Sequence, residues 1–215
     1  MRMFRKAAFL GAFAVAAVTA CAVQAAPGDF VLFGNTETGD GTKKNDSSVV
    51  LISDNAASEP YAGIAYLPPA GKKGTSTEDI TTLSVTYQIL EGGFGAGSLR
   101  FSIGIDQDLD GTVDGSIFVY AGTAPNFDDE PGDWVDSGNL LATEDLRVDT
   151  SQIGGTFYDT WDHALELTEG AAVTGVLVVV DAGYAFEEGV QAVAVSDVQI
   201  GHAKFKAKLV GKGNH

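Results

Sequence analysis

The sequence predicts an all-β protein, an antiparallel β-sandwich of jelly-roll-like order with one short helix. Three observations carry this. Gly, Thr, Val, Ser and Asp are abundant, and the apolar runs are short and broken by turn residues. In DITTLSVTYQIL, Leu83, Val85, Tyr87 and Ile89 alternate with Thr82, Ser84, Thr86 and Gln88, the pattern of a half-buried antiparallel strand. Turn signals recur every 8–12 residues or so, the spacing of strands in two stacked sheets.

Taken in order, strands are expected at 29–34, 48–53, 62–67, 81–90, 98–105 and 115–121. The run VTGVLVVVD, 173–181, is apolar at nearly every position and predicts a central strand covered on both faces. A last strand is expected at 191–200. The one helix is read from YDTWDHALELTEG, where Trp161, Ala164, Leu165 and Thr168 recur at helical spacing. Asp159 or Thr160 can cap its start and Gly170 can end it. It spans about two turns, so packing must hold it. Trp161 opens its apolar stripe and is expected in the core.

Residues 1–25 read as a signal peptide. Arg2, Arg5 and Lys6 precede an apolar stretch, 7–20, too short to span a bilayer. Two processing routes are legible. Val23-Gln24-Ala25 suits ordinary signal peptidase. Val18-Thr19-Ala20-Cys21 resembles a bacterial lipobox, in which Cys21 would carry a lipid anchor. Residues 26–201 then form the β-sandwich domain, about 190 residues with the tail and enough for one real core. Cys21 is the sole cysteine, so no disulfide staples the domain. Removing the leader removes three cations and no acid, which takes the formal charge from −16 to −19. Such a surface disfavours nucleic acids and anionic lipids and suits divalent cations. Residues 202–215 form a basic tail, read as a frayed end or as a tether to anionic wall polymers.

The stretch GIDQDLDGTVDG places Asp106, Asp108, Asp110 and Asp114 within nine residues. Asp106-x-Asp108-x-Asp110-Gly111 matches the first half of an EF-hand calcium loop. Positions 1, 3 and 5 point carboxylates at one centre, and glycine at position 6 permits the turn that brings the Thr112 carbonyl onto the ion. Asp114 falls at position 9. Position 12 should be a bidentate Glu and is Ile117, and the flanks read as strands. The expectation is a calcium loop inside a β-hairpin, with Asp106, Asp108, Asp110, Thr112 and Asp114 as ligands and weak affinity. The bland alternative is a solvated turn, for which Asp and Gly are ordinary residues. A second acidic loop lies around Glu37, Asp40 and Asp46.

Signals for catalysis are thin. The histidines are His163, His202 and His215. No zinc pair of the His-Glu-x-x-His kind, no nucleophile elbow and no Walker spacing is present. His163 and Glu166 share a helix face without a third ligand. Acid-rich NFDDEPGDW and EDLRVD leave room for a glycosidase pair, but acids are everywhere in this chain. No catalytic residue is assigned. Aromatic residues give the better handle: Trp134, Tyr184 and Phe186 lie in loop-like contexts, where exposed rings can stack on sugar faces. Trp134 could equally pack beneath its loop.

SLRFSIGIDQDLDG, DTSQIGGTFYDTWDHALEL, VTGVLVVVDAGY and VQAVAVSDVQIG together resemble secreted bacterial jelly-roll domains of the carbohydrate-binding-module or laminin-G-like type. That resemblance covers most of residues 29–201 and implies an extracellular or periplasmic sandwich, calcium-stabilised and open to a glycan partner. A binding or surface module is therefore expected. The alternatives are an extracellular polysaccharide hydrolase or lyase, and a structural cell-surface or matrix protein. A carboxylate-lined groove with Arg100 or Arg147 would favour the enzyme.

Overall fold

A computed structural model describes residues 29–39, 48–69, 75–94, 97–124, 127, 129–143 and 145–207. The leader with Cys21, Asp40 and Asp46, and residues 208–215 lie outside them. Twelve strands are described: β1 Phe30–Gly34, β2 Thr36–Gly39, β3 Ser48–Asp54, β4 Ala62–Tyr66, β5 Leu83–Glu91, β6 Arg100–Asp106, β7 Gly115–Tyr120, β8 Val135–Asp136, β9 Val148–Asp149, β10 Ala172–Val180, β11 Val190–Ile200 and β12 Ala203–Lys206. They form two antiparallel sheets, ordered β1-β4-β10-β6-β7-β9 and β2-β3-β11-β5-β8, with β12 beside β11. Within these orders β3-β11-β5-β8 faces β4-β10-β6-β7. Among these eight strands, each crosses to the other sheet from the one before except at the β6–β7 hairpin, which is jelly-roll connectivity.

The core is made by alternation. Leu83, Val85, Tyr87 and Ile89 of β5 are buried while their neighbours are half-exposed. They meet Phe101, Ile103 and Ile105 of β6, and Val176 and Val178 of β10. β10 sits between β4 and β6, so its apolar run does mark a central strand. Its outward side is unequally closed, with Val179 buried and Leu177 half-buried. The strand closed on both faces along most of its length is β11. There the outward Ala192 is small beside its row neighbour Ile52, and Ala194 beside Val50 and Gln88.

The helix, α1, runs Trp161–Leu167 as its periodicity predicts. Thr160 is the cap: its hydroxyl accepts from the His163 amide at 3.1 Å. Ala164 is buried and Trp161 packs against the core. The tail is not frayed at its start. Ala203–Lys206 pairs with Asp197–Ile200, and half-buried Phe205 packs on Phe30 in a tilted contact with centroids 5.7 Å apart, while Lys204 and Lys206 are exposed. The AKFK alternation was itself a strand signal that the lysine content obscured.

Asp159, just before α1, gathers four donors: the Thr150 hydroxyl, the Thr160 amide at 2.8 Å, the Thr156 amide at 3.4 Å and His163 Nδ1 at 2.8 Å. Burial alone would raise its carboxyl; the donors outweigh that and hold it at about 2, against an ordinary 3.8. A depressed folded value means that stabilisation is complete above the unfolded value and is lost as pH falls through the folded one. The expected result is a melting temperature that drops between about pH 4 and 2, and Asp159→Asn should flatten that acid limb. An identical acid limb in the variant would show that other carboxylates govern it.

Candidate metal site

The acidic loop is the tip of the β6–β7 hairpin, and its roots are rigid. Ile105 pairs with Gly115 and Ile103 with Ile117, all buried. The Asp114 amide donates to the Ile105 carbonyl at 2.8 Å and closes the loop base. From the side, the Gln152 carboxamide accepts the Ser116 amide at 3.1 Å. Gly115 is required there, since a Cβ would stand 2.7 Å from the Gln152 carbonyl oxygen. The loop therefore hangs from two fixed strands, flanked by strands rather than helices, as expected.

At the tip, carboxylate oxygens of Asp106, Asp108 and Asp114 all lie within 4.8 Å of one another. Backbone amides aim them. Asp106 accepts from Asp110 at 3.2 Å and from Gly111 at 2.8 Å, Asp108 accepts from Asp110 at 3.2 Å, and Asp114 accepts from Gln107 at 2.7 Å. Asp106 is only 4% exposed, unlike the other two. Gly111 sits at φ 90°, the left-handed region that position 6 demands, with open space around it, so torsion rather than crowding fixes glycine there. Leu109 also has positive φ, 64°, and is exposed. A branched side chain holds that conformation at a cost of about 1–2 kcal/mol, and such residues cluster at functional loops.

Asp110 and Thr112 are placed differently from the other expected ligands. The Thr112 amide and hydroxyl both donate to Asp110 Oδ1, at 2.8 and 2.6 Å. These bonds lower the Asp110 pKa. They hold its carboxylate on a local turn beside the three-acid cluster. Three carboxylates with mutually close oxygens suit a hard cation with oxygen ligands, and calcium's flexible shell tolerates the water that would complete it. Magnesium would demand a stricter octahedron.

The three aromatic candidates do not share a surface of one kind. Tyr184 is 52% exposed, in the turn after β10. Phe186 is half-buried, its ring against Gly92 and Gly93, so its face is spent on packing. Trp134 is half-buried ahead of β8, on an edge of the second sheet.

The basic residues weighed for a cleft have separate fates. Arg100 is locked by Asp181. Arg147 lies among rings: Tyr120, Phe157, Tyr158 and Phe127 are 4.2, 4.5, 5.0 and 5.5 Å from its guanidinium carbon. Nothing in the sequence reading joined Arg147 to these rings. The exposed doublet Phe157-Tyr158 in GGTFYDTW was the available signal. A cavity of about 330 Å3 adjoins this cluster, sharing Tyr120 and Phe127 and bearing Asp136 and Asp145. Asp136 is committed to the Gly138 amide at 3.0 Å. Asp129, nearby, is committed to the Tyr87 hydroxyl at 2.8 Å and to Thr123. Burial first, then the Asp129 carboxylate, raise the Tyr87 pKa, so it stays a donor.

Among the described residues no helix is long and apolar enough to cross a membrane. Compared with protein-family models, with curated proteins and with solved structures, the chain shows no significant match.

Proposed function

We propose that this chain is an exported β-sandwich binding or surface module that calcium stabilises and that takes a glycan as partner. The observation that carries the calcium part is the convergence of Asp106, Asp108 and Asp114 within 4.8 Å at the tip of a hairpin whose roots are buried. Three carboxylates at that separation repel one another, and four hydrogen bonds from three backbone amides offset only part of the repulsion. One divalent cation removes the rest and matches the affinity range of extracellular modules, since the loop lacks a bidentate acid at position 12. Export is supported by the basic and apolar composition of residues 1–25 and by the acidic remainder. The glycan part is supported by the jelly-roll connectivity and by exposed tyrosine rings.

Calorimetric titration of calcium into the chelator-treated protein tests the metal. A dissociation constant of roughly 10⁻⁴–10⁻³ M is expected. Asp106→Ala should abolish the signal. No heat up to about ten times that concentration would leave the acids as a hydrogen-bonded turn. A signal surviving Asp106→Ala would place the ion elsewhere. Mass spectrometry of the native protein tests export: a start after Ala25 or at a lipidated Cys21 is expected, and a retained leader would sink it.

A further inference from the structure

Among the described residues Arg147 is a cation without a polar partner, on an acidic protein. Its Nε is buried with no acceptor, and the described residues give its guanidinium no hydrogen bond and no ion pair. Of the described acids nearby, Asp149 is buried and accepts from the Ser151 amide at 2.9 Å and from the Tyr120 hydroxyl at 3.4 Å, and Asp145, which lines the adjoining cavity, makes no ion pair with Arg147. Four rings instead hold the guanidinium by cation–π contact, from Tyr120 at 4.2 Å to Phe127 at 5.5 Å. Contacts with rings leave the donor edges of an arginine unused, so the group is fixed in place with its hydrogen-bonding capacity unspent. Contrast Arg100, whose fork is filled by Asp181.

Beside it, Tyr158 is 73% exposed and stands edge-on to Phe157, with centroids 5.0 Å apart at 86°. A large aromatic face open to water next to a fixed unpaired cation has two complementary needs. The cation needs a planar oxyanion, and the ring needs an apolar face. A formal charge near −19 without the leader repels polyanions at a distance. At physiological salt that repulsion is largely screened beyond about 8 Å, so a ligand with one negative charge meets little of it where a long phosphate chain, lying against the acidic surface, meets much.

We propose that Arg147 and Tyr158 form a binding site for a carboxylated sugar, a hexuronate unit, with its carboxylate on the guanidinium and the C–H face of its ring on Tyr158. The assignment rests on the glycan-binding part of the function proposed above and names its ligand class. Carboxylate fits the arginine fork in bidentate geometry, and the rings that hold Arg147 remove the cost of ordering it.

The test uses the full chain in calcium, titrated with methyl glucuronide, methyl glucoside and acetate and followed by NMR. The glucuronide should saturate, with the glucoside and acetate each about tenfold weaker or more, because each carries half of the recognition. Arg147→Met, which keeps the stem and loses the charge, should weaken the glucuronide about tenfold and leave the glucoside unchanged. Tyr158→Ala, on an exposed ring, should weaken both sugars several-fold, and it carries the decision if Arg147→Met does not fold. Equal affinity for the two sugars, or unchanged glucuronide binding in either variant, would overturn the assignment. Glucoside binding by a chain that ignores the glucuronide would overturn it while leaving glycan binding standing. Binding of neither sugar would overturn both, and calorimetry of calcium would still report on the metal site independently.

Discussion

Asp181→Asn is expected to destabilise the fold by about 2–4 kcal/mol, a fall in melting temperature of roughly 5–15 °C for a domain of this size. Arg100 Nη1 and Nη2 meet the two Asp181 oxygens at 2.6 and 2.7 Å, a bidentate pair between β6 and the end of β10. The two side chains are 16% and 22% exposed, so the pair is mostly desolvated. Burial works to lower the Arg100 pKa; the Asp181 carboxylate outweighs it, and the net shift is upward. With asparagine the guanidinium keeps the carboxamide oxygen, the Gly97 carbonyl at 3.3 Å and the face of Phe118 at 5.2 Å, but it loses its counter-charge and meets an NH2 donor where the second carboxylate oxygen stood. The residual exposure places the cost below the 3–5 kcal/mol or so of a fully buried pair and above the ~1 kcal/mol of a surface one.

The same position anchors the turn into β11. The Asp181 amide donates to Ser98 Oγ, the Ala182 amide to Gln191 Oε1 and the Gly183 amide to Ser53 Oγ. Three buried side chains thus take over backbone donors where the sheet ladder ends. Arg100→Met should cost less than Asp181→Asn, because it removes the cation and leaves its carboxylate partner able to reach water. Urea unfolding of both variants checks the order. Equal costs would mean that solvent already reaches the guanidinium and the pair behaves as a surface one.

Most of this architecture was legible because its core strands carry their own period. Leu83 to Ile89 alternate, and Val176 and Val178 lie in an apolar run that could only be central. What escaped was short or long-range. Val135–Asp136 and Val148–Asp149 are two-residue strands, defined by their partners β5 and β7 and not by any pattern of their own. Thr36–Gly39 is polar and follows β1 after one residue, so it read as loop. At the loop tip, the spacing of the aspartates was sufficient to place Asp106, Asp108 and Asp114 together. It could not show that Thr112 offers Asp110 two local donors. The Arg147 cluster joins Tyr120, Arg147 and Tyr158 from β7, the approach to β9 and the turn before α1. Only the fold brings them within 5 Å.

Those local bonds set the expected hierarchy when calcium is withdrawn. Saturating calcium should raise the wild-type melting temperature by roughly 5–10 °C over excess chelator, since binding at a hundred times the dissociation constant adds about 2.7 kcal/mol to the folded state. Asp106→Ala should remove that shift and also lower stability in chelator. Its carboxylate is 4% exposed and holds the Asp110 and Gly111 amides that shape the turn, so its loss leaves those donors to water as well as opening the ion cluster. Asp108→Ala should remove most of the calcium shift and change the chelator melt little or raise it, because Asp108 is exposed and close to two like charges that chelator leaves unneutralised. Asp110→Ala should retain the largest part of the calcium shift, its carboxylate being engaged by Thr112 outside the cluster. Differential scanning calorimetry of the four proteins, in chelator and in calcium, separates these outcomes. Equal melting points for the wild type in both buffers would reduce the loop to a hydrogen-bonded turn. A shift abolished by Asp110→Ala but not by Asp108→Ala would mean that the ion draws Asp110 off Thr112 and gathers a set of carboxylates other than Asp106, Asp108 and Asp114.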